Sequence, residues 1–117
     1  WLIYEPNDLG GQLKWLADTL LAAEQNNEFV HILAHVPSGA PDQQNTWSRE
    51  YRKIINRFAH IITGQFNGHT HADEFNVFFD TKDYSKIINV AWNGGCATPW
   101  AYVNPNYRVY WADQNTY

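Results

Sequence analysis

The chain has 117 residues, 44% of them hydrophobic and 16% aromatic, which is enough apolar material for a core and too much for a disordered tail. Eight Lys and Arg against twelve Asp and Glu leave a formal net charge of −4 with no basic stripe, which argues against a binder of the nucleic-acid backbone. No apolar run approaches the ~18 residues needed to span a bilayer, and the single Cys96 offers no partner from which to infer a redox compartment.

The chain contains no Met and opens inside the apolar run Trp1–Tyr4, as expected of a piece of a longer protein. Leu2–Tyr4 reads as a short strand stopped by Pro6, and Asn7 or Asp8 can cap the helix that follows. Leu13, Leu16, Leu20 and Ala23 recur at helical spacing and predict a helix reaching Asn26. The run Val30–Ala34 predicts a central strand covered on both faces. Pro37 to Asn45 is a polar loop, after which Trp47, Tyr51, Ile54, Ile55 and Phe58 mark one face of a second helix. Ile61–Phe66 is the next strand, and Phe75, Val77 and Phe79 give a period-two pattern for another. Ile87–Trp92 and Tyr107–Trp111 predict two more strands. Strand–helix–strand–helix–strand followed by a run of strands indicates an α/β fold with an antiparallel or mixed tail.

Two of these strands deliver histidine into a loop. Ile61–Phe66 leads into Gly68-His69-Thr70-His71, and Val30–Ala34 ends at His35, followed at once by Val36-Pro37. A single histidine at a strand end is commonly a hydrogen-bonded rim residue. Two matching strand–loop contexts, with Gly68 permitting close backbone approach, instead point to a metal site made by His35, His69 and His71 at the carboxyl edge of a sheet, where ligands bind in open α/β folds. Imidazole ligands alone leave zinc, iron, copper and nickel open. His31 lies ~13 Å back along its strand from His35 at ~3.3 Å per residue, and His60 precedes its strand, so both are read as structural.

Three neutral imidazoles leave a divalent charge uncompensated, and the acids of this chain supply it poorly. Asp73 or Glu74 could orient an imidazole from behind, although a solvated turn explains them as well. Asp80 and Asp83 fall in a polar hairpin, and Asp8 in a cap. The remaining ligands are therefore expected upstream of Trp1. Trp100 follows a turn shaped by Gly94, Gly95 and Pro99, where its ring either offers an aromatic face to a substrate or covers the end of the core.

Ala34-His35-Val36-Pro37 and Gly68-His69-Thr70-His71, in this order, resemble the later ligand motifs of calcineurin-like metallophosphoesterases. The longer strings are more specific. Gly11-Gln12-Leu13-Lys14-Trp15-Leu16, Gly68-His69-Thr70-His71-Ala72-Asp73-Glu74-Phe75 and Asn104-Pro105-Asn106-Tyr107-Arg108-Val109-Tyr110 resemble the acid sphingomyelinase and sphingomyelinase-like phosphodiesterase family over nearly the whole chain.

The resemblance implies that residues 1–117 are the C-terminal half of a catalytic domain. That domain would be a four-layer α/β/β/α sandwich with mixed sheets. It implies two zinc ions, with His35 and His69 on one and His71 on the other, and attack on phosphorus by a zinc-activated hydroxide. It implies sphingomyelin cleaved to ceramide and phosphocholine, or a nucleotide or other small phosphodiester cleaved in the same way. It places the enzyme in the lysosome or outside the cell, with peripheral contact to membrane lipid. The segments that carry the family's Asp-x-His, bridging Asp and Gly-Asn-His-Glu have no counterpart here. The loop Asn93–Trp100 also departs from the Pro-Ser-x-Thr of relatives, which leaves the substrate open. No residue of this chain is then a proton donor, and the piece alone is expected to be inactive. From another class, an aromatic-rich sugar- or lipid-binding module remains a reading, since six Trp and seven Tyr could line a groove without any metal.

Overall fold

The computed structural model describes Tyr4 and residues 7–115, so the expected strand Leu2–Tyr4 lies outside the described residues but for Tyr4, which sits in a turn. A short 3-10 turn, Leu9–Gly11, leads into α1, Gln12–Gln25. The turn needs left-handed backbone at Gly10 and Gly11, which a residue without Cβ adopts cheaply. Gly11 holds the N-cap position of α1, and Asp8, expected as the cap, serves the helix end from across that turn: its carboxylate accepts from the Leu13 and Lys14 backbone N–H groups at 2.7 and 2.8 Å. From α1, Leu20 and Ala23 are buried, with Leu13 and Leu16 packed at the margin of the core.

A mixed four-stranded sheet follows, built from β1 (Val30–Leu33), β2 (Ile62–Asn67), β3 (Glu74–Phe79) and β4 (Ile87–Asn93) in the order β1-β2-β4-β3. β1, β2 and β4 are parallel, and β3 pairs antiparallel with β4. The second helix, α2, spans Asn45–Phe58 and buries Tyr51, Ile55 and Phe58. Both helices contribute to one core with Ile32, Ile62, Phe78 and Ala91 of the sheet. Each fully buried aliphatic chain there, such as Leu20 or Ile55, contributes roughly 1.5–3 kcal/mol. Glu24 of α1 accepts both guanidinium nitrogens of Arg57 at 2.8 and 2.9 Å and lies 2.8 Å from His60 Nε2, which ties the helices at their ends.

The register explains which face is covered. The row Ile32–Gln65–Ala91–Asn76 lies under the helices, whereas the next row, Leu33–Phe66–Trp92–Phe75, points the other way. Leu33 is 79% exposed and Phe75 58%. This corrects three expectations. β1 is an edge strand with one covered face, because both helices lie on the same side of the sheet. In β3 the buried ring is Phe78, while Phe75 and Phe79 are exposed, so the period-two pattern marked the open face. Residues 107–111 form no strand: they cross the open face without ladder partners. There the Tyr110 ring meets Phe66 at 4.8 Å and Trp92 at 6.4 Å, and Arg108 pairs with Asp73 while lying 5.7 Å from the Trp92 ring.

A buried polar chain pins β2 in place. The Tyr51 hydroxyl donates to Gln65 Oε1 at 2.6 Å, the Gln65 amide donates to Asn89 Oδ1 at 2.8 Å, and Asn89 donates to the Ile62 carbonyl at 2.8 Å. Burial pushes the Tyr51 phenol above its ordinary pKa, so it stays a donor. Gln65 is four residues short of His69. The chain therefore fixes the strand that carries the histidine turn against both α2 and β4.

Candidate metal centre

Because β1, β2 and β4 run parallel, their carboxyl ends open on one edge, and the loops after them are laced together. Ala34 N–H donates to the Phe66 carbonyl at 3.0 Å, Gly68 N–H to the His35 carbonyl at 2.9 Å, and Gly94 N–H to the Asn67 carbonyl at 3.0 Å. The Asn67 side-chain amide adds a bond to the Ala34 carbonyl at 3.2 Å. Main-chain pairing thus continues beyond the strands and brings His35 beside the Gly68–His71 turn.

The His35 and His69 rings meet edge to face, with centroids 5.3 Å apart and planes at 81°. A Cβ on Gly68 would make only ordinary contact with the His35 ring, 3.5 Å from Nδ1, so the approach of the two loops does not itself require glycine there. Two non-glycine residues of the turn carry the unusual backbone. His69 has φ 75° and His71 φ 62°, and Thr70 N–H donates to the Gly68 carbonyl at 2.9 Å, closing a three-residue γ-turn around His69. Left-handed backbone outside glycine costs on the order of 1–3 kcal/mol per residue and persists where the surroundings over-determine it, typically at ligand-holding sites.

His69 Nε2 lies 2.7 Å from Asp42 Oδ2. Among the described residues, His35 and His71 have no protein hydrogen bond to either ring nitrogen. Two histidines stand elsewhere: His31 on the open face against Phe66, at 5.5 Å between rings, and His60 on Glu24. Among the described residues no three His, Cys, Asp or Glu side chains are gathered so as to hold an ion by themselves. What the edge supplies is a pair of adjacent imidazoles, a third two residues on, and a carboxylate behind one of them.

The acids are placed differently from the sequence expectation. Asp73 pairs with Arg108, and Glu74 accepts from Asn93 Nδ2 at 3.1 Å, so neither reaches an imidazole. Asp42, seven residues past His35 in the polar loop, was not singled out by any periodic or motif signal. Asn93, fully buried at the end of β4, keeps Oδ1 without a donor, as does the buried Ser38 Oγ in the loop after His35. Buried orphan acceptors of this kind are costly, and both lie at this end of the fold. Imidazole nitrogens suit zinc, iron, copper and nickel alike, and the free ring nitrogens of His35 and His71 leave them able to coordinate.

Trp100 opens a short turn, Trp100–Tyr102, after the β4 loop, with its N–H on Thr98 Oγ1 at 3.3 Å. Its ring is 73% exposed and covers no part of the core. Cys96 is a free thiol bonded to the Thr98 carbonyl at 2.8 Å.

No protein-family model matches the chain. It is similar to a sphingomyelin phosphodiesterase of Bos taurus, with 43% identity over 115 residues, which covers 98% of this chain and 18% of that protein. It is similar to sphingomyelin phosphodiesterase B of Dictyostelium discoideum, at 34% over 122 residues, covering 99% of the chain and 19% of the relative. A human cyclic GMP-AMP phosphodiesterase is 36% identical over 136 residues, covering 99% of the chain and 30% of the relative. The chain spans under a third of the length of each of these relatives.

Proposed function

We propose, from the premise that this chain is a segment belonging to the acid-sphingomyelinase-like family, that it forms the C-terminal half of the catalytic domain of a zinc-dependent phosphodiesterase. The chemistry proposed with it is hydrolysis of sphingomyelin to ceramide and phosphocholine. The observation that carries the reading is local. The two histidine loops that match the family strings are laced edge to edge and bring His35 and His69 into ring contact.

In this reading His35 and His69 hold one ion and His71 the other. Two zinc ions bound side by side would supply Lewis-acid stabilisation of the phosphoryl oxygens and lower the pKa of water. The residues of this chain orient. The γ-turn aims His69 and His71 from one short segment, and the Tyr51–Gln65–Asn89 chain holds the strand beneath them. Trp100, exposed beyond the β4 loop, would offer an aromatic face to a choline head group. The carboxylate ligands and the proton donor come from other parts of the protein. The enzyme acts in the lysosome or outside the cell, reaching its lipid substrate by peripheral contact. No helix of the described residues is long and apolar enough to cross a membrane.

A second reading keeps the centre and changes the substrate: a nucleotide or other small phosphodiester, favoured by the similarity to the cyclic GMP-AMP phosphodiesterase. One experiment separates the two and tests both. The intact protein is assayed for zinc content and for hydrolysis of sphingomyelin in detergent micelles and of cyclic dinucleotide, beside its His35→Ala and His69→Ala variants. Loss of zinc and of hydrolysis together in both variants supports the centre, and the preferred substrate selects the reading. Hydrolysis that survives chelation and both substitutions would overturn it.

A further inference from the structure

The contact between Asp42 and His69 does more than close a loop. Asp42 stands in a braced segment: Ala40 N–H donates to the Pro37 carbonyl at 3.1 Å and Gln43 N–H to the Ala40 carbonyl at 3.0 Å, which makes two successive turns. Gly39 N–H then reaches Gln43 Oε1 at 3.0 Å and Ser48 Oγ at 3.2 Å, and Ser48 is buried in α2. Pro37 and Ala40 are buried beneath this segment. The loop is therefore anchored to the helix on one side and to β1 on the other, and it offers Asp42 to the His69 ring.

We infer that Asp42 is a positioning residue for the metal centre: its carboxylate accepts the Nε2 proton of His69, fixes the ring in the tautomer with an unprotonated Nδ1, and so assigns Nδ1 as the nitrogen that meets zinc. The distance decides against the alternative that both groups bind one ion. Two ligand atoms on a tetrahedral zinc, each ~2.0–2.1 Å from it, stand about 3.3 Å apart, whereas Nε2 and Oδ2 are separated by 2.7 Å, the spacing of a charge-assisted hydrogen bond. A histidine that binds metal through one nitrogen ordinarily donates from the other to a carboxylate or carbonyl, which fixes the ring and raises its basicity. The same carboxylate brings one negative charge to the edge that carries the three imidazoles. Asp73 is paired with Arg108 and Glu74 accepts from Asn93, whereas Asp42 contacts an imidazole directly.

The inference rests on the proposed zinc centre, and its test separates the two. Metal-stripped intact protein is titrated with zinc against a fluorescent chelator, as wild type, Asp42→Ala and Asp42→Asn, and the His69 ring nitrogens are followed by long-range proton–nitrogen NMR. The expected result is a loss of affinity of about 10–100-fold in Asp42→Ala. Asp42→Asn should recover part of it, since its amide oxygen still accepts from Nε2 without the charge. Zinc should shift Nδ1 while Nε2 keeps its proton, and the metal-free melting temperatures should remain close. Zinc binding of equal strength in wild type and Asp42→Ala, or a zinc-shifted Nε2, would overturn the role of Asp42 and leave the centre standing. No zinc binding by the wild type would overturn both.

Discussion

The left-handed backbone at His71 can be isolated from its chemistry by a pair of substitutions, His71→Gly and His71→Ala. Both remove the imidazole, and the ring has no hydrogen bond to the described protein, so its deletion alone costs little. They differ in how they tolerate φ 62°. A residue with a Cβ in this region is strained by roughly 1–2 kcal/mol, which alanine retains and glycine releases. Glycine in turn loses ~0.4–1 kcal/mol through the greater freedom of its unfolded chain. The difference leaves His71→Gly more stable than His71→Ala by roughly 0.5–1 kcal/mol, a few degrees in Tm for a domain of this size. Urea and thermal unfolding in chelator-containing buffer, where no ion stabilises the wild type, read the difference directly. Equal stability of the two variants, or greater stability of His71→Ala, would refute the claim that the turn stores strain. Added zinc should then stabilise the wild type more than either variant, because an ion that binds only the folded state raises its stability by mass action.

Tyr51→Phe removes the donor to Gln65 Oε1, which is then left without it at a residue only 1% exposed, so stability should fall by about 1–3 kcal/mol in denaturant unfolding. The same variant should show a weaker loss of stability at alkaline pH. A buried phenol whose folded pKa is raised holds its proton while the unfolded one ionises, so stability is lost as pH rises above roughly 10, the ordinary tyrosine value. Trp100→Leu in the intact enzyme should weaken sphingomyelin hydrolysis and spare a small choline-free phosphodiester, with Tm nearly unchanged because the ring is exposed; equal loss on both substrates with a lowered Tm would assign it to packing. The isolated 117-residue chain should bind zinc weakly and hydrolyse no phosphodiester, and turnover of bis-nitrophenyl phosphate in proportion to its zinc occupancy would refute the half-site reading.

Much of the fold was legible because it is local. The spacing of Leu13, Leu16, Leu20 and Ala23 and of Tyr51, Ile55 and Phe58 defines helix faces within one element, and Asp8 announces a cap by its place before a helix. The existence of β1, β2, β3 and β4 was equally plain, as was the delivery of His35 and His69 into loops. Strand position in the sheet was not, because an apolar run says that a strand has hydrophobic side chains and leaves open whether both faces are covered. Val30–Leu33 became an edge for that reason, and Tyr107–Trp111 a strap without ladder partners. The role of Asp42 was invisible in the sequence, since a carboxylate in a turn-rich loop finds its partner only through the path of that loop. The left-handed backbone at His69 and His71 escaped for a related reason: glycine is the residue that announces such geometry, and here histidine adopts it one and three positions later.

The open sheet face and the incomplete ligand set share one explanation on the proposed half-domain reading. A sheet whose row Leu33–Phe66–Trp92–Phe75 faces away from both helices leaves apolar area exposed that a folded domain normally buries against a further layer. The strap at Arg108 and Tyr110 covers only the middle of that row, where Phe66 and Trp92 lie, and leaves Leu33 at one end and Phe75 at the other. The histidine edge is the rim of the same sheet. A second sheet laid against the open row would bring the carboxyl ends of its own strands near that rim, where carboxylates could complete the charge that three imidazoles lack. Folding and metal binding would then depend on each other. The covering layer would complete the centre, and the ions, by pinning His35, His69 and His71 to ligands from that layer, would hold the two sheets in register.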